Sequence, residues 1–293
     1  MTGPETPQNQ GVEGNVASNR SILVEQWRNA PYEVLHYPAG KITDSQGNVL
    51  YEYQEGRRLM MLGQEVMDSC QWPWTESTVD DAFTVLRRPF PLASKTNVQI
   101  LERGFGMGLV ASRIMQRLGI VGGEYTCIEL NEQIAQYADT IWRDEQNRIT
   151  RDRTLSIMGG DNLNVPYIPI NIVRGDAFEE TEKLVAAGRK FDIIVSDTYP
   201  LSDEEKSVND LLDIEQLIKC LAPEGIFVFF GFHTGSDGGL NYKQTNLISK
   251  RFNAISSKMV QVAPPPDYKY FNPPSGPVRE LPVILCAQPV IEP

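Results

Sequence analysis

The chain has two histidines, His36 and His233, and four cysteines, Cys70, Cys127, Cys220 and Cys286, none of them in a Cys-x-x-Cys pair. A Cys/His metal centre needs several such ligands at short, regular spacings, so no metal site is expected. Cys127 lies in an apolar run and reads as a buried reduced thiol. Positive charge is also scarce: 27 Lys and Arg stand against 38 Asp and Glu, a net charge of −11. Such a chain repels phosphate backbones and anionic lipid, which argues against nucleic acid and membrane as partners. No apolar run approaches the roughly 20 residues that span a bilayer. The polar N-terminus lacks the apolar core of a signal peptide. These absences read together as a cytoplasmic protein; a homodimer is compatible with them.

What is present suits one large α/β domain with extensions: 293 residues, 41% hydrophobic. Residues 1–20 are rich in Asn, Gln, Gly, Pro and Glu and are expected to be disordered. Residues 21–95 read as an N-terminal extension with helices that cover a substrate. Its first part carries Trp27, Tyr32, Tyr37, Tyr51 and Tyr53 between turn signals. Helices are expected over Glu55–Asp68 and Thr75–Leu86.

From residue 96 to 293 the pattern becomes that of the main domain. Strands are expected at Val98–Glu102, Tyr125–Glu129, Asn171–Arg174, Phe191–Ser196 and Gly225–Phe230. Helices are expected over Leu109–Leu118, Asn131–Arg143 and Val208–Leu221. Alternation at this spacing implies crossover units and a doubly wound, mainly parallel sheet. Two strand-like segments, Lys258–Ala263 and Leu281–Ala287, would add an antiparallel edge and bring the sheet to seven strands. An insert, residues 144–169, is longer than its connection requires.

The chemistry gathers at the strand ends. Glu102-Arg-Gly104-Phe105-Gly106-Met107-Gly108 follows the first strand and precedes a helix. The spacing is not that of a dinucleotide fingerprint, whose third glycine comes one residue later, and no Gly-Lys-Ser/Thr makes it a P-loop. Glu129 ends the second strand, where a carboxylate can accept from two ribose hydroxyls. Gly175-Asp176-Ala177 follows the third, where an Asp can accept from an adenine amino group. Asp197 ends the fourth. In an open α/β sheet ligands bind outside the carboxyl ends of the strands, so these acids converge.

This order of motifs resembles the class I methyltransferases, over roughly Val98 to Phe230. The resemblance implies a Rossmann-like fold and S-adenosyl-L-methionine as cofactor. Glu102 and the Gly104–Gly108 loop would take its methionine part. Glu129 and Leu130 would take ribose, and Asp176 and Ala177 adenine. A closer resemblance rests on Ser196-Asp197-Thr-Tyr199-Pro-Leu-Ser-Asp-Glu-Glu205, Leu62-Gly63, Met67, the Gly-Phe-Gly-Met loop and Pro264-Pro-Pro-Asp-Tyr-Lys-Tyr-Phe271. Together these are similar to guanidinoacetate N-methyltransferase and related guanidino methyltransferases.

That resemblance makes Asp197 the catalytic residue, a carboxylate that holds a guanidinium and accepts its proton. Met67, Tyr199, Phe232 and His233 would line the substrate pocket. Gln71 stands where the family has a second guanidinium-binding Glu. Losing that charged hydrogen bond would cost about 1.5–3 kcal/mol, unless Asp68 or Glu76 substitutes. The expected activity is N-methylation of a small guanidino or amino compound. The alternatives are an aminopropyltransferase-like enzyme, which a Gly-Gly-Gly-Asp loop would have signalled, and a non-catalytic cofactor-binding scaffold.

Overall fold

The computed structural model describes residues 12–86, 97–158, 168–201, 213–229, 242–266, 268 and 280–290. The chain begins with helix α1 (Val12–Arg28) and five short strands: β1 (Tyr32–Tyr37), β2 (Gly40–Thr43), β3 (Val49–Tyr53), β4 (Gly56–Met61) and β5 (Gln64–Asp68). A 3-10 turn (Ser69–Gln71) leads into α2 (Trp72–Leu86). The main sheet then alternates with helices: β6 (Val98–Arg103), α3 (Leu109–Val121), β7 (Gly123–Glu129), α4 (Glu132–Tyr137), a π-helical turn (Ala138–Trp142), α5 (Arg143–Met158) and β8 (Ile170–Arg174). It continues with α6 (Ala177–Ala186), β9 (Phe191–Ser196), α7 (Ile214–Cys220), β10 (Leu221–Phe229), α8 (Tyr242–Ser249), β11 (Phe252–Gln261) and β12 (Glu280–Pro289).

The seven-stranded sheet has the order β11-β12-β10-β9-β6-β7-β8. Neighbours from β10 to β8 are parallel, and β12 runs antiparallel to both β10 and β11. This is the expected doubly wound, mainly parallel architecture with its antiparallel edge. Consecutive residues on its central strands point to opposite faces, and both faces are covered. Ile100, Ile193 and Val228 enter one core, and Leu101, Ile194 and Phe229 the other. Strand order reverses at β6, between β7 and β9, which opens a crevice at their carboxyl ends.

The N-terminal extension differs from its expected form. Glu55–Asp68 is a hairpin, not a helix. Met61 pairs with Gln64 across a two-residue turn in which Leu62 and Gly63 both have positive φ, 51° and 72°. Two positive φ values define the hairpin turn whose twist matches the strands, and Gly63 makes it affordable sterically. α1 begins at Val12, so residues 12–20 are helical where disorder was expected. The segment expected as an insert begins as a continuation of the preceding helix, since α5 runs to Met158. Residues 159–167 lie outside the described part.

α1 is fixed to the main domain from below. Asn131 caps α4 with its side-chain oxygen, and its Nδ2 donates to the carbonyls of Trp27 at 3.0 Å and Ala30 at 2.8 Å. Tyr51 from β3 donates to the Pro264 carbonyl at 2.9 Å. No described helix is long and apolar enough to cross a membrane.

Candidate active site

The crevice at the switch point holds a cavity that is partly open to solvent. Its floor is made where β6 and β9 end side by side. Arg103 pairs with Ser196, and the Asp197 amide donates to the Arg103 carbonyl at 2.9 Å. Gly104 follows at φ +86°. A Cβ there would lie 2.6 Å from the Asp197 carbonyl oxygen, so the glycine lets the two strand ends touch.

Glu129 organises the loop. Its Oε2 accepts from the Phe105 amide at 2.8 Å and the Gly106 amide at 3.4 Å, and its Oε1 from the Asn131 amide at 2.8 Å. Burial pushes its carboxyl above the usual range, and the backbone donors pull it back. Asp176 is buried and caps α6, its Oδ1 accepting from the Phe178 and Glu179 amides. Its Oδ2 accepts from Arg20 Nη2 of α1 at 3.0 Å.

Asp197 is different. It lines the cavity, keeps partial exposure there, and has no side-chain partner among the described residues. Burial raises its carboxyl to about 7. Beside it, Tyr199 donates to Gln64 Oε1 at 2.5 Å, and its ring lies 5.1 Å from that of Trp27. Met61, Val66, Met67 and Leu201 complete an apolar wall.

Of the residues expected from sequence, Gly104, Gly106, Glu129, Leu130, Asp176, Ala177, Met67, Asp197 and Tyr199 meet at this cavity. Phe105, Met107 and Gly108 do not line it. Phe105 is fully buried, edge-on to Trp142 at 5.1 Å. The Met107 amide donates to Met67 Sδ at 3.3 Å, and Gly108 caps α3 in a left-handed conformation. Glu102 lies beneath the loop, accepting from the Tyr125 hydroxyl. Its Oε1 is buried without a partner among the described residues, and burial pushes its carboxyl well above the usual range.

Gln71 stands apart from these residues. It does not line the cavity; it is buried, and its Nε2 donates to the Tyr268 hydroxyl at 3.1 Å. Its proposed substitutes are engaged too. Asp68 holds Arg58, Tyr37 and the Cys70 amide, and Glu76 pairs with Arg113. Phe232 and His233 lie outside the described residues. Sequence reasoning missed Arg20, Trp27 and Phe178, which also line the cavity. The first two come from a helix more than seventy residues before the glycine loop, and no local motif marks them.

No protein-family model and no curated protein matches the chain. Solved structures do. A spermidine synthase in complex with a transition-state analogue matches with a TM-score of 0.51 at 13% identity, over 79% of this chain. The chain spans 66% of that protein, just under two thirds. The Thermotoga maritima spermidine synthase matches at 0.47 and 13% identity, over 86% of this chain and 72% of that one. Human methyltransferase-like protein 13 in complex with S-adenosylhomocysteine matches at 0.43 and 12%, over 73% and 82%. At such identities the shared property is the fold, the Rossmann-like class I methyltransferase fold.

Proposed function

We propose that the chain is an S-adenosylmethionine-dependent N-methyltransferase acting on a small guanidino or amino compound. The observation that carries this reading is Asp197, an unpartnered carboxylate among the described residues, raised to about 7 on the wall of the switch-point cavity. A general base works best with a pKa near the operating pH.

The residues present fit the cofactor. Glu129 lines the cavity at the end of β7, where its carboxylate can accept from a ribose hydroxyl. Asp176 stands at the start of α6 for the adenine amino group. S-adenosylmethionine supplies an electrophilic methyl group on a sulfonium.

The chain's own part is to position the acceptor and remove a proton. A guanidinium or ammonium has no free lone pair. Asp197 holds the cation by charge, and as the nitrogen takes the methyl group, the N–H proton passes to the Asp197 carboxylate. Trp27 and Tyr199, packed ring against ring, line the same cavity. Met61, Val66, Met67 and Leu201 keep water from the reacting atoms.

Aminopropyl transfer is the second reading. It is favoured by the likeness to a spermidine synthase and by a cavity lined by Glu129, Asp176 and Asp197 against Arg20, which suits a polycation. The test is a panel of guanidines and amines offered with S-adenosylmethionine or its decarboxylated form, read by mass spectrometry. Products heavier by one methylene with the first cofactor support methyl transfer. Products heavier by an aminopropyl unit with the second replace it. Turnover with neither leaves the catalytic reading without support.

A further inference from the structure

Arg20 reaches into the cavity from α1 and occupies the carboxylate that ends β8. Its Nη2 donates to Asp176 Oδ2 at 3.0 Å, and its guanidinium carbon lies 4.4 Å from the centre of the Phe178 ring. Asp176 Oδ1 is already used by the Phe178 and Glu179 amides, which leaves Oδ2 as the oxygen for a further donor. Arg20 therefore does two things at once: it gives an N–H to Oδ2, and it lays a flat, delocalised group over an aromatic ring. Adenine is also flat, also stacks, and also carries an N–H donor on its exocyclic amino group. The two compete for the same atoms.

We propose that Arg20 is a built-in stand-in for adenine, which plugs the adenine subsite of the ligand-free chain and is displaced, with the front of α1, when the cofactor binds. This rests on the assignment of the cavity to an S-adenosyl cofactor. The two ends of α1 are held in different ways. The rear is anchored by buried Val24 and Trp27 and by the two Asn131 hydrogen bonds. At the front, Arg20 engages Asp176 with a side chain that is 30% exposed. Displacement thus loosens the front of α1 at Arg20 and leaves the Trp27 end seated. The apparent affinity for cofactor is lowered by the fraction of molecules that are plugged.

The test combines calorimetric titration of S-adenosylhomocysteine into the wild-type chain and Arg20→Ala with amide hydrogen exchange of wild-type α1. Removing the plug should tighten binding by about three- to tenfold. In the wild-type chain, the ligand should accelerate exchange over residues 12–20 and leave residues 24–28 unchanged. Equal or weaker binding by Arg20→Ala overturns the inference, because Arg20 then does not oppose the ligand. Slower exchange over residues 12–20 overturns it as well, and this measurement needs no variant to fold. Both results leave the cofactor assignment intact. Failure of S-adenosylhomocysteine to bind either protein, at any accessible concentration, overturns the assignment itself and the plug with it.

Discussion

Asp197→Asn separates a catalytic carboxylate from a structural one, because the two predict opposite signs for stability. Burial raises the Asp197 carboxyl from an ordinary 3.8 to about 7. At ~1.36 kcal/mol per pH unit, holding it ionised in the folded chain costs about 4 kcal/mol. Asp197 keeps some exposure to the cavity, and solvent screening reduces this to about 1–3 kcal/mol. The sign follows from proton binding. A carboxyl with a raised folded-state pKa binds its proton more tightly when folded, so its contribution is whole below its unfolded value and is lost as pH climbs through 7. Asparagine has the same shape and never ionises. Denaturation of both proteins at about pH 5 and about pH 8 should show Asp197→Asn gaining about 1–2 kcal/mol relative to wild type between the two. This is a few degrees in melting temperature. Turnover should fall about 10²–10⁴-fold, with S-adenosylhomocysteine binding kept. A loss of stability that is the same at both pH values would refute the reasoning and make Asp197 a loop-capping residue.

Three further substitutions probe the surroundings. Gly104→Ala should lower both stability and turnover. Its Cβ would strike the Asp197 carbonyl, and its φ is unfavourable for alanine by about 1–2 kcal/mol; a wild-type melting curve would show that the strand ends separate freely. Glu129→Ala should weaken S-adenosylhomocysteine by about 1.5–3 kcal/mol and loosen the glycine loop, whose amides it holds; unchanged calorimetry would make it an ordinary strand-end charge. Gln71→Glu should destabilise by about 1–3 kcal/mol without changing which guanidines are accepted, because it buries a charge beside Tyr268 and outside the cavity. Improved turnover of guanidinoacetate in that variant would return Gln71 to the substrate site.

Much of the main domain was legible because its signals are local. Val98–Arg103 and Phe191–Ser196 are apolar runs buried on both faces, and acids at strand ends need only the sheet to bring them together. The N-terminal region was harder. Gly56-Arg-Arg-Leu-Met-Met61 and Gln64-Glu-Val-Met-Asp68 consist largely of good helix formers, but the turn at Leu62-Gly63 and pairing with β1 override that preference. For Gln71 the resemblance supplied a position in a motif, while its hydrogen-bond partner, Tyr268, lies 197 residues away. Arg20 and Trp27 belong to a helix with little apolar patterning, and tertiary contacts such as that of Asn131 with the Trp27 carbonyl hold that helix beside the cavity.

The position of β12 has a consequence for biosynthesis. It lies between β10 and β11 and pairs with both, and the Trp74 indole of α2 donates to the carbonyl of its Pro282 at 2.7 Å. It is also the last strand of the sheet to leave the ribosome. Until it arrives, β10 and β11 each present an open hydrogen-bonding edge, and the apolar surfaces meant for Leu281, Val283, Ile284 and Leu285 are uncovered. Every nascent chain therefore passes through a stage in which the glycine loop and Asp197 are already synthesised but the sheet carries a gap, and a chain cut short before Glu280 should accumulate in aggregates instead of as a smaller folded protein.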